Sequence, residues 1–364
     1  MSLRIAILMD PPRVREEKSA MLRLAVALAA EGVNTTIGHA RNGEESTSIT
    51  QGPIPQITLP GNMPFWLREG AARLAAEQFE HAGGHGPIDA LVVSGNESFD
   101  LALRTSRILD CPLIADVRSR EEADFIARRP EHVSLAVAST EPLQSRMAAR
   151  LGEDHVECIR PCLPAVTSQE PSDGRFMVML GPPRDASIWN AVLDGVSDAT
   201  SQLGEEIRPM LAIELLEHRA DQQVWAHARE RGLLDRVVSI DQIDHLRPLL
   251  SSAASIIIPE PRQTVRSVFA QAMQRGVVPI AAEDNDMDFI EDGVTAMTLR
   301  TSELRKPSAW AERVHAVCSD CADLPLSGNA RERASEFLAS RVAPCWATLL
   351  HSMVHGDSIP LSQI

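Results

Sequence analysis

A chain of 364 residues, 44% of them hydrophobic, has the material for two domains that each bury a core. Its formal charge of −15, spread along the chain, argues against a nucleic-acid partner, because a phosphate backbone requires a basic face. No apolar run approaches the ~20 residues of a membrane-spanning helix, so any membrane contact is expected to be peripheral.

The chain opens with a strand, Leu3–Met9, then the turn-prone Asp10-Pro11-Pro12-Arg13 and a helix with apolar residues at helical spacing over Ser19–Glu31. Gly32 stops that helix, Val33–Ala40 supplies a second strand, and the stretch from Asn42 to Asn62 reads as a long surface excursion. Phe65-Trp66-Leu67 precedes an amphipathic helix and reads as core, with contact to a membrane or lipid as the alternative. His81 and His85 have helical i,i+4 spacing, but the glycines between them oppose the helix that would align them on a metal. Buried strands follow at Ala90–Ser94, Pro112–Val117 and Leu135–Ser139, with a helix over Ser98–Leu109. The Pro- and Ser-rich stretch Pro161–Gly174 reads as an interdomain linker.

Beyond it the alternation resumes. A strand over Arg175–Leu180 ends at Gly181, a helix starts near Ala186, and strands are predicted at Pro209–Ile213 and Arg236–Ile240. Next come a buried strand (Ile256–Pro259), a loop, a helix over Phe269–Gln274, a strand (Val277–Ala282) and an acidic helix start at Phe289–Gly293. A last helix, Asn329 to about His355, carries a kink-forming Pro344. Buried strands alternating with helices imply parallel sheets covered on both faces, and two doubly wound domains usually bind ligands in the cleft their strand ends face. Six cysteines without a leading signal segment point to a reducing cytoplasm. The pair Cys318 and Cys321 lacks the second pair that a zinc site needs, so no metal is expected.

The run Ile256–Gly293 resembles the nucleotide-sugar site of glycosyltransferase family 4, whose text runs PSxxEGFGLxxLEAMAxGxPVVAxxxGGxxEIVxDG. The passages VSLAVASTEPLQSRMAARLGEDHVECIRPCLP and RVVSIDQIDHLRPLLSSAASIIIP parallel two further family passages. The resemblance implies a GT-B fold: two Rossmann-like α/β domains facing a cleft, with a C-terminal helix crossing back. It places an acceptor-side domain at 1–165, a nucleotide-sugar domain at 166–330 and the crossover helix with its tail at 331–364. The substrate it implies is a nucleoside-diphosphate sugar, with no cofactor and with retention at the anomeric carbon.

The frame matches better than the polar chemistry inside it. The two glutamates of the family's E-x7-E motif fall on Gln263 and Gln271, and its arginine and lysine at the start of the second domain fall on Pro182 and Ser187. Gln271 keeps the capacity to bond a ribose hydroxyl, whereas Gln263 has lost the charge near the sugar. Donor contacts implied by the resemblance are Gly181, Arg184, Arg262, Gln263, Arg266, Ser267 and Gln271. Arg184 is either a shifted phosphate ligand or a solvated loop residue. Arg266, in a glycine position, is either a relocated phosphate ligand or a residue that fills a dead site. Neither lysine of the chain, Lys18 or Lys306, is placed to help. Asp116 and Arg118, after the strand residues Pro112–Ala115, stand where the family often has an acidic or histidine residue, and the resemblance makes them the candidate catalytic pair, with a surface ion pair as the alternative. The acidic Glu283-Asp284-Asn285-Asp286 reads as a solvated loop before it reads as a Mg2+ site. Two functions follow, a sugar transferase with an unknown acceptor or a catalytically silent GT-B protein that binds or assembles. A sugar-nucleotide epimerase of the same fold is a more distant third.

Overall fold

The structure, a computed structural model, describes residues 2–41, 53–60, 64–82, 84, 86–165, 176–181, 184–202, 210–214, 218–240, 248–261, 264–320 and 325–356. The chain divides into two compact units. One is made of Met1–Pro164, Thr264–Ser267 and Phe337–Ile364, the other of Ala165–Gln263 and Val268–Glu336.

The first unit holds seven parallel strands: β1 (Leu3–Met9), β2 (Val33–Arg41), β3 (Gln56–Pro60), β4 (Ala90–Ser94), β5 (Leu113–Val117), β6 (Leu135–Ala138) and β7 (Val156–Cys158). Their order is β3-β2-β1-β4-β5-β6-β7. Every residue of β1, β4, β5 and β6 is buried, which is why they read as apolar runs, broken only by Arg4, Ser94 and Asp116. Helices α1 (Pro11–Ala30), α2 (Arg68–Ala82), α3 (Phe99–Leu109), α4 (Arg120–Ala127) and α5 (Glu141–Leu151) connect them.

Three expectations change here. The first helix starts at Pro11, eight residues before Ser19, because the Asp10 carboxylate accepts the Arg13 N–H at 2.9 Å and both prolines sit where a helix needs no N–H. The supposed excursion from Asn42 to Asn62 contains β3, which pairs in parallel with β2 from Ile37 to Arg41. Trp66 is not core: it is 68% exposed, in a short 3-10 turn ahead of α2. His81 lies in α2, and His85 falls outside the described residues.

The second unit holds six parallel strands: β8 (Phe176–Met179), β9 (Met210–Glu214), β10 (Val237–Ile240), β11 (Ala253–Ile258), β12 (Val278–Ala282) and β13 (Met297–Leu299), in the order β10-β9-β8-β11-β12-β13. Its helices are α6 (Ala186–Gln202), α7 (His218–Glu230), α8 (Ser267–Gln274, whose first residue belongs to the first unit), α9 (Pro307–Asp320) and α10 (Pro325–Ala334). No helix begins at Phe289–Gly293. The Thr295 hydroxyl accepts the Glu291 N–H and donates to the Phe289 carbonyl, and Gly293 takes a positive φ of 71°, so the chain turns there into β13.

The last predicted helix is two helices. After α10 the chain passes through a 3-10 turn at Ser335–Phe337, and α11 (Ala339–His355) then packs on α1 in the first unit. The break has a physical cause. Leu163 donates its N–H to the Phe337 carbonyl at 2.7 Å and accepts the Ala339 N–H at 2.9 Å, so the backbone there bonds to Leu163 instead of continuing a helix. Pro344 lies inside α11.

In the second unit, α6 and α9 approach closely at Gly195. A Cβ there would lie 2.6 Å from the Trp310 Cβ, 2.7 Å from the Pro307 carbonyl oxygen and 2.9 Å from the Ala311 nitrogen. Two of those atoms are backbone and cannot rotate away. Gly195→Ala is therefore expected to cost about 1–3 kcal/mol of overpacking despite the better helix propensity of alanine. Urea unfolding checks this, and a stabilised variant would show that the helices can separate freely.

Candidate functional site

In a doubly wound sheet, ligands gather at the carboxyl ends of the strands where the order reverses. In the second unit that point lies between β8 and β11, since β9 and β10 run off one side and β12 and β13 off the other. Two buried carboxylates organise it. Glu214, ending β9, accepts the Gly181 N–H at 2.7 Å, and Gly181 has a φ of 93°. Glu260, two residues beyond β11, accepts the N–H groups of Arg184 (2.8 Å) and Asp185 (3.1 Å) and the Trp189 indole N–H (3.1 Å).

Asp185 then caps α6. Its Oδ1 accepts the Ser187 N–H at 2.9 Å and the Ser187 hydroxyl at 2.6 Å, and its Oδ2 accepts Arg305 Nη2 at 2.5 Å. Arg305 Nε also donates to Ser187 Oγ at 3.0 Å. The Ser187 bonds, then Arg305, hold the Asp185 carboxyl down at about 2. The Arg184 side chain is exposed, Gln271 is buried in α8, and Arg262, Gln263 and Pro182 fall outside the described residues.

The first unit carries a different construction at the matching edge, between β1 and β4. Asp116, at the end of β5, accepts the Ser94 hydroxyl at 2.8 Å and Arg118 Nε at 3.0 Å. Arg118 Nη1 donates to Glu17 of α1 at 2.7 Å, and the Arg118 N–H to Glu122 at 2.7 Å. Arg13 Nη2 donates to the other oxygen of Glu122 at 2.6 Å. The segment Thr264–Ser267 joins this cluster: the Ser267 N–H donates to Glu17 at 2.8 Å, the Val265 N–H to the Arg118 carbonyl at 2.6 Å, and Arg266 Nε lies 3.8 Å from Glu16. Asp116 and Arg118 thus form an ion pair that is buried, not on the surface, and Arg266 is buried as well.

Burial alone would lower the pKa of Arg118, but Asp116 and Glu17 beside it outweigh burial and raise it. Burial pushes the Asp10 carboxyl up to about 6 against the pull of the Arg13 N–H and guanidinium. Asp10 also leaves no room for a side chain opposite: a Cβ on Gly95, whose φ is 102°, would collide with its carboxylate.

Sequence reasoning singled out Asp116 and Arg118 but missed Glu17, Glu122, Glu214, Glu260 and Arg305. One signal was available for Glu17. Arg13, Glu17, Met21, Leu24 and Leu28 recur at helical spacing on the buried face of α1, so two charges occupy core positions. In the acidic loop Asp286 is buried, and among the described residues no group of three His, Cys, Asp or Glu side chains is arranged to hold a metal. Cys321 lies outside the described residues, and the thiols of Cys111 and Cys162 are pushed up by burial to about 12 and 11.

No protein-family model matches the sequence, and no curated protein matches it. Solved structures do match the fold. HepE from Anabaena, in complex with UDP and glucose, superposes with a TM-score of 0.74 at 14% identity, over 96% of this chain and 100% of that one. A glycosyltransferase from Rickettsia africae gives 0.72 at 12% identity, over 98% and 100%. Sucrose-phosphate synthase from Thermosynechococcus elongatus gives 0.69 at 15%, over 98% and 100%. Two parallel-sheet α/β domains of this kind define the GT-B class, and the chain has the GT-B fold.

Two predictions follow from the buried charges. Arg118→Met leaves Glu17 and Asp116 without their counter-ion and is expected to cost about 3–5 kcal/mol in urea unfolding; a loss below about 1 kcal/mol, the scale of an exposed pair, would show that water reaches the cluster. For Asp10, the folded pKa lies above the unfolded one, so its contribution to stability is fullest below pH 3.8 and is lost as pH rises through about 6. The stability of Asp10→Asn relative to wild type should therefore grow between those two pH values by about 3 kcal/mol, at roughly 1.4 kcal/mol per pKa unit. A difference that is flat with pH would contradict the raised pKa.

Proposed function

We propose that this protein is a glycosyltransferase that moves a hexose-like unit from a nucleoside-diphosphate sugar to an acceptor, with retention at the anomeric carbon. The observation that carries the reading is the likeness of 96% of the chain to a fold whose solved example holds UDP and glucose. The proposed donor side lies in the second unit at the β8 and β11 ends, where Gly181 turns the chain, Arg184 offers an exposed guanidinium and Gln271 supplies an amide for a ribose hydroxyl. Arg262 and Gln263 belong to the same proposed set, as do Arg266 and Ser267 on the segment grouped with the first unit.

The chemistry asks for cations at the leaving diphosphate, because the bond from the anomeric carbon breaks toward an ion-like sugar and a diphosphate that gathers negative charge. Guanidinium groups suit that task through their paired donors. Asp116 and Arg118, locked to Glu17 and Ser94, are assigned to shaping the edge of the first sheet on which an acceptor would rest. The nucleotide sugar is the substrate, and the reading calls on no metal or other cofactor. Among the described residues no helix is long and apolar enough to cross a membrane.

One observation favours the second reading, a silent GT-B protein. The N–H groups of Gly181, Arg184 and Asp185, which could have faced a phosphate, already donate to Glu214 and Glu260. Calorimetric titration with UDP, GDP and ADP, followed by an assay of sugar release from the matching nucleotide sugar, separates the readings. We expect one nucleotide to bind and its sugar conjugate to turn over. Binding without turnover would favour the silent protein, and binding of none would overturn the donor reading.

A further inference from the structure

We infer that Arg305 is a diphosphate-binding residue of this protein, its guanidinium standing at the head of α6 in place of a cation on that helix. The inference rests on the donor reading above and adds a residue that the sequence did not single out. Arg305 lies in the loop between β13 and α9, and because all six strands of the second sheet run parallel, that loop leaves the same edge of the sheet as the β8–α6 connection. From there it crosses to Ser187, on the first turn of α6, with Nε 3.0 Å from Ser187 Oγ and Nη2 2.5 Å from Asp185 Oδ2.

Three features separate this arm from an ordinary surface pair. Its side chain is 60% exposed, and the two bonds it makes leave Nη1 without a partner among the described residues, so donors remain for a second anion. Asp185 is itself fixed by the Ser187 N–H and hydroxyl, which gives the guanidinium an oriented seat and lowers the entropy lost when a ligand engages it. The local backbone offers little competition. Gly181, Arg184, Asp185 and Ser187 already donate their N–H groups to carboxylates, and those of Ile188 and Trp189 go to the Asp185 carbonyl, so most of the backbone donors where β8 leads into α6 are taken and an anion there depends chiefly on side chains. Arg300, Glu303 and Lys306 share the loop with Arg305, which leaves that stretch with a net positive charge within an acidic protein.

The test compares a nucleoside diphosphate with its nucleoside. Wild type, Arg305→Ala and Arg305→Lys are titrated with whichever of UDP, GDP and ADP the wild type binds, and with the corresponding uridine, guanosine or adenosine. Loss of one charge-assisted contact predicts that Arg305→Ala binds the diphosphate about tenfold or more weakly, with nucleoside affinity unchanged and Arg305→Lys in between. Because Arg305 is exposed, its removal should leave the urea midpoint in place, which rules out misfolding as the cause. Wild-type diphosphate affinity in Arg305→Ala, or equal loss for diphosphate and nucleoside, would overturn this inference alone. A wild type that binds none of the three nucleotides would overturn the donor reading and this inference with it.

Discussion

The constraint on which the first unit depends is charge burial at the carboxyl edge of its sheet. Asp10, Glu17, Asp116 and Glu122 are all buried there, against the buried guanidiniums of Arg13 and Arg118. Were every group ionised, two negative charges would be left over in a low-dielectric interior, and such an excess is costly. Arg266 brings a positive charge from a segment more than two hundred residues away in sequence and lies 3.8 Å from Glu16 at the margin of the cluster, and the raised pKa of Asp10 lets a proton remove one negative charge under mildly acidic conditions. This gives Thr264–Ser267 a reason to belong to the first unit. The Ser267 amide and the Arg266 guanidinium add donors and positive charge to a cluster in which the carboxylates of α1, α4 and β5 outnumber their own arginines.

Carboxylates play a related part in the second unit, where Glu214 and Glu260 bond the amides of the chain leaving β8. A carboxylate at a helix start stabilises the helix and satisfies its first N–H groups. It also takes from a phosphate the donors that such a start would otherwise offer. Order in the loop and affinity for an anion therefore compete for the same backbone groups, which leaves side-chain guanidiniums as the main source of donors for an anion there. Arginine carries nearly all the positive charge of this chain, and its fork-shaped donors can serve one carboxylate and one phosphate together.

The alternation of buried strands and helices was legible because a parallel strand covered on both faces is mostly apolar, and β1, β4, β5 and β11 each carry only one polar residue, Arg4, Ser94, Asp116 and Ser255. Where the reading failed, short-range chemistry or pairing partners decided the outcome. β3 and β13 are short edge strands, QITLP and MTL, that lack the fully buried apolar run of the central strands, and each is recognisable only from the strand beside it. The turn at Phe289–Gly293 follows from the Thr295 hydroxyl, and the break before α11 from Leu163, a partner remote in sequence. Candidate residues fared according to the same distinction. Asp116 and Arg118 could be singled out from their place after a buried strand, but their burial depends on α1 and could not.

Arg305 and Ser187 are separated by 118 positions, and nothing local to either marks the contact. Motif spacing reports which residues a helix or loop presents from its own backbone; it is silent about an arm that arrives from a neighbouring loop of the same sheet edge. In a doubly wound sheet that silence is systematic, because every strand-to-helix connection ends at one edge and any of them can supply a charge to the crevice. The serine at the head of α6 is then not simply a lost cation. Its hydroxyl accepts the Arg305 Nε and donates to Asp185, so it is the seat on which a charge from elsewhere in the fold is placed. A lysine at the same position would offer an ammonium with donors only and could not accept that bond, so the serine and the arginine make one arrangement that neither position discloses alone.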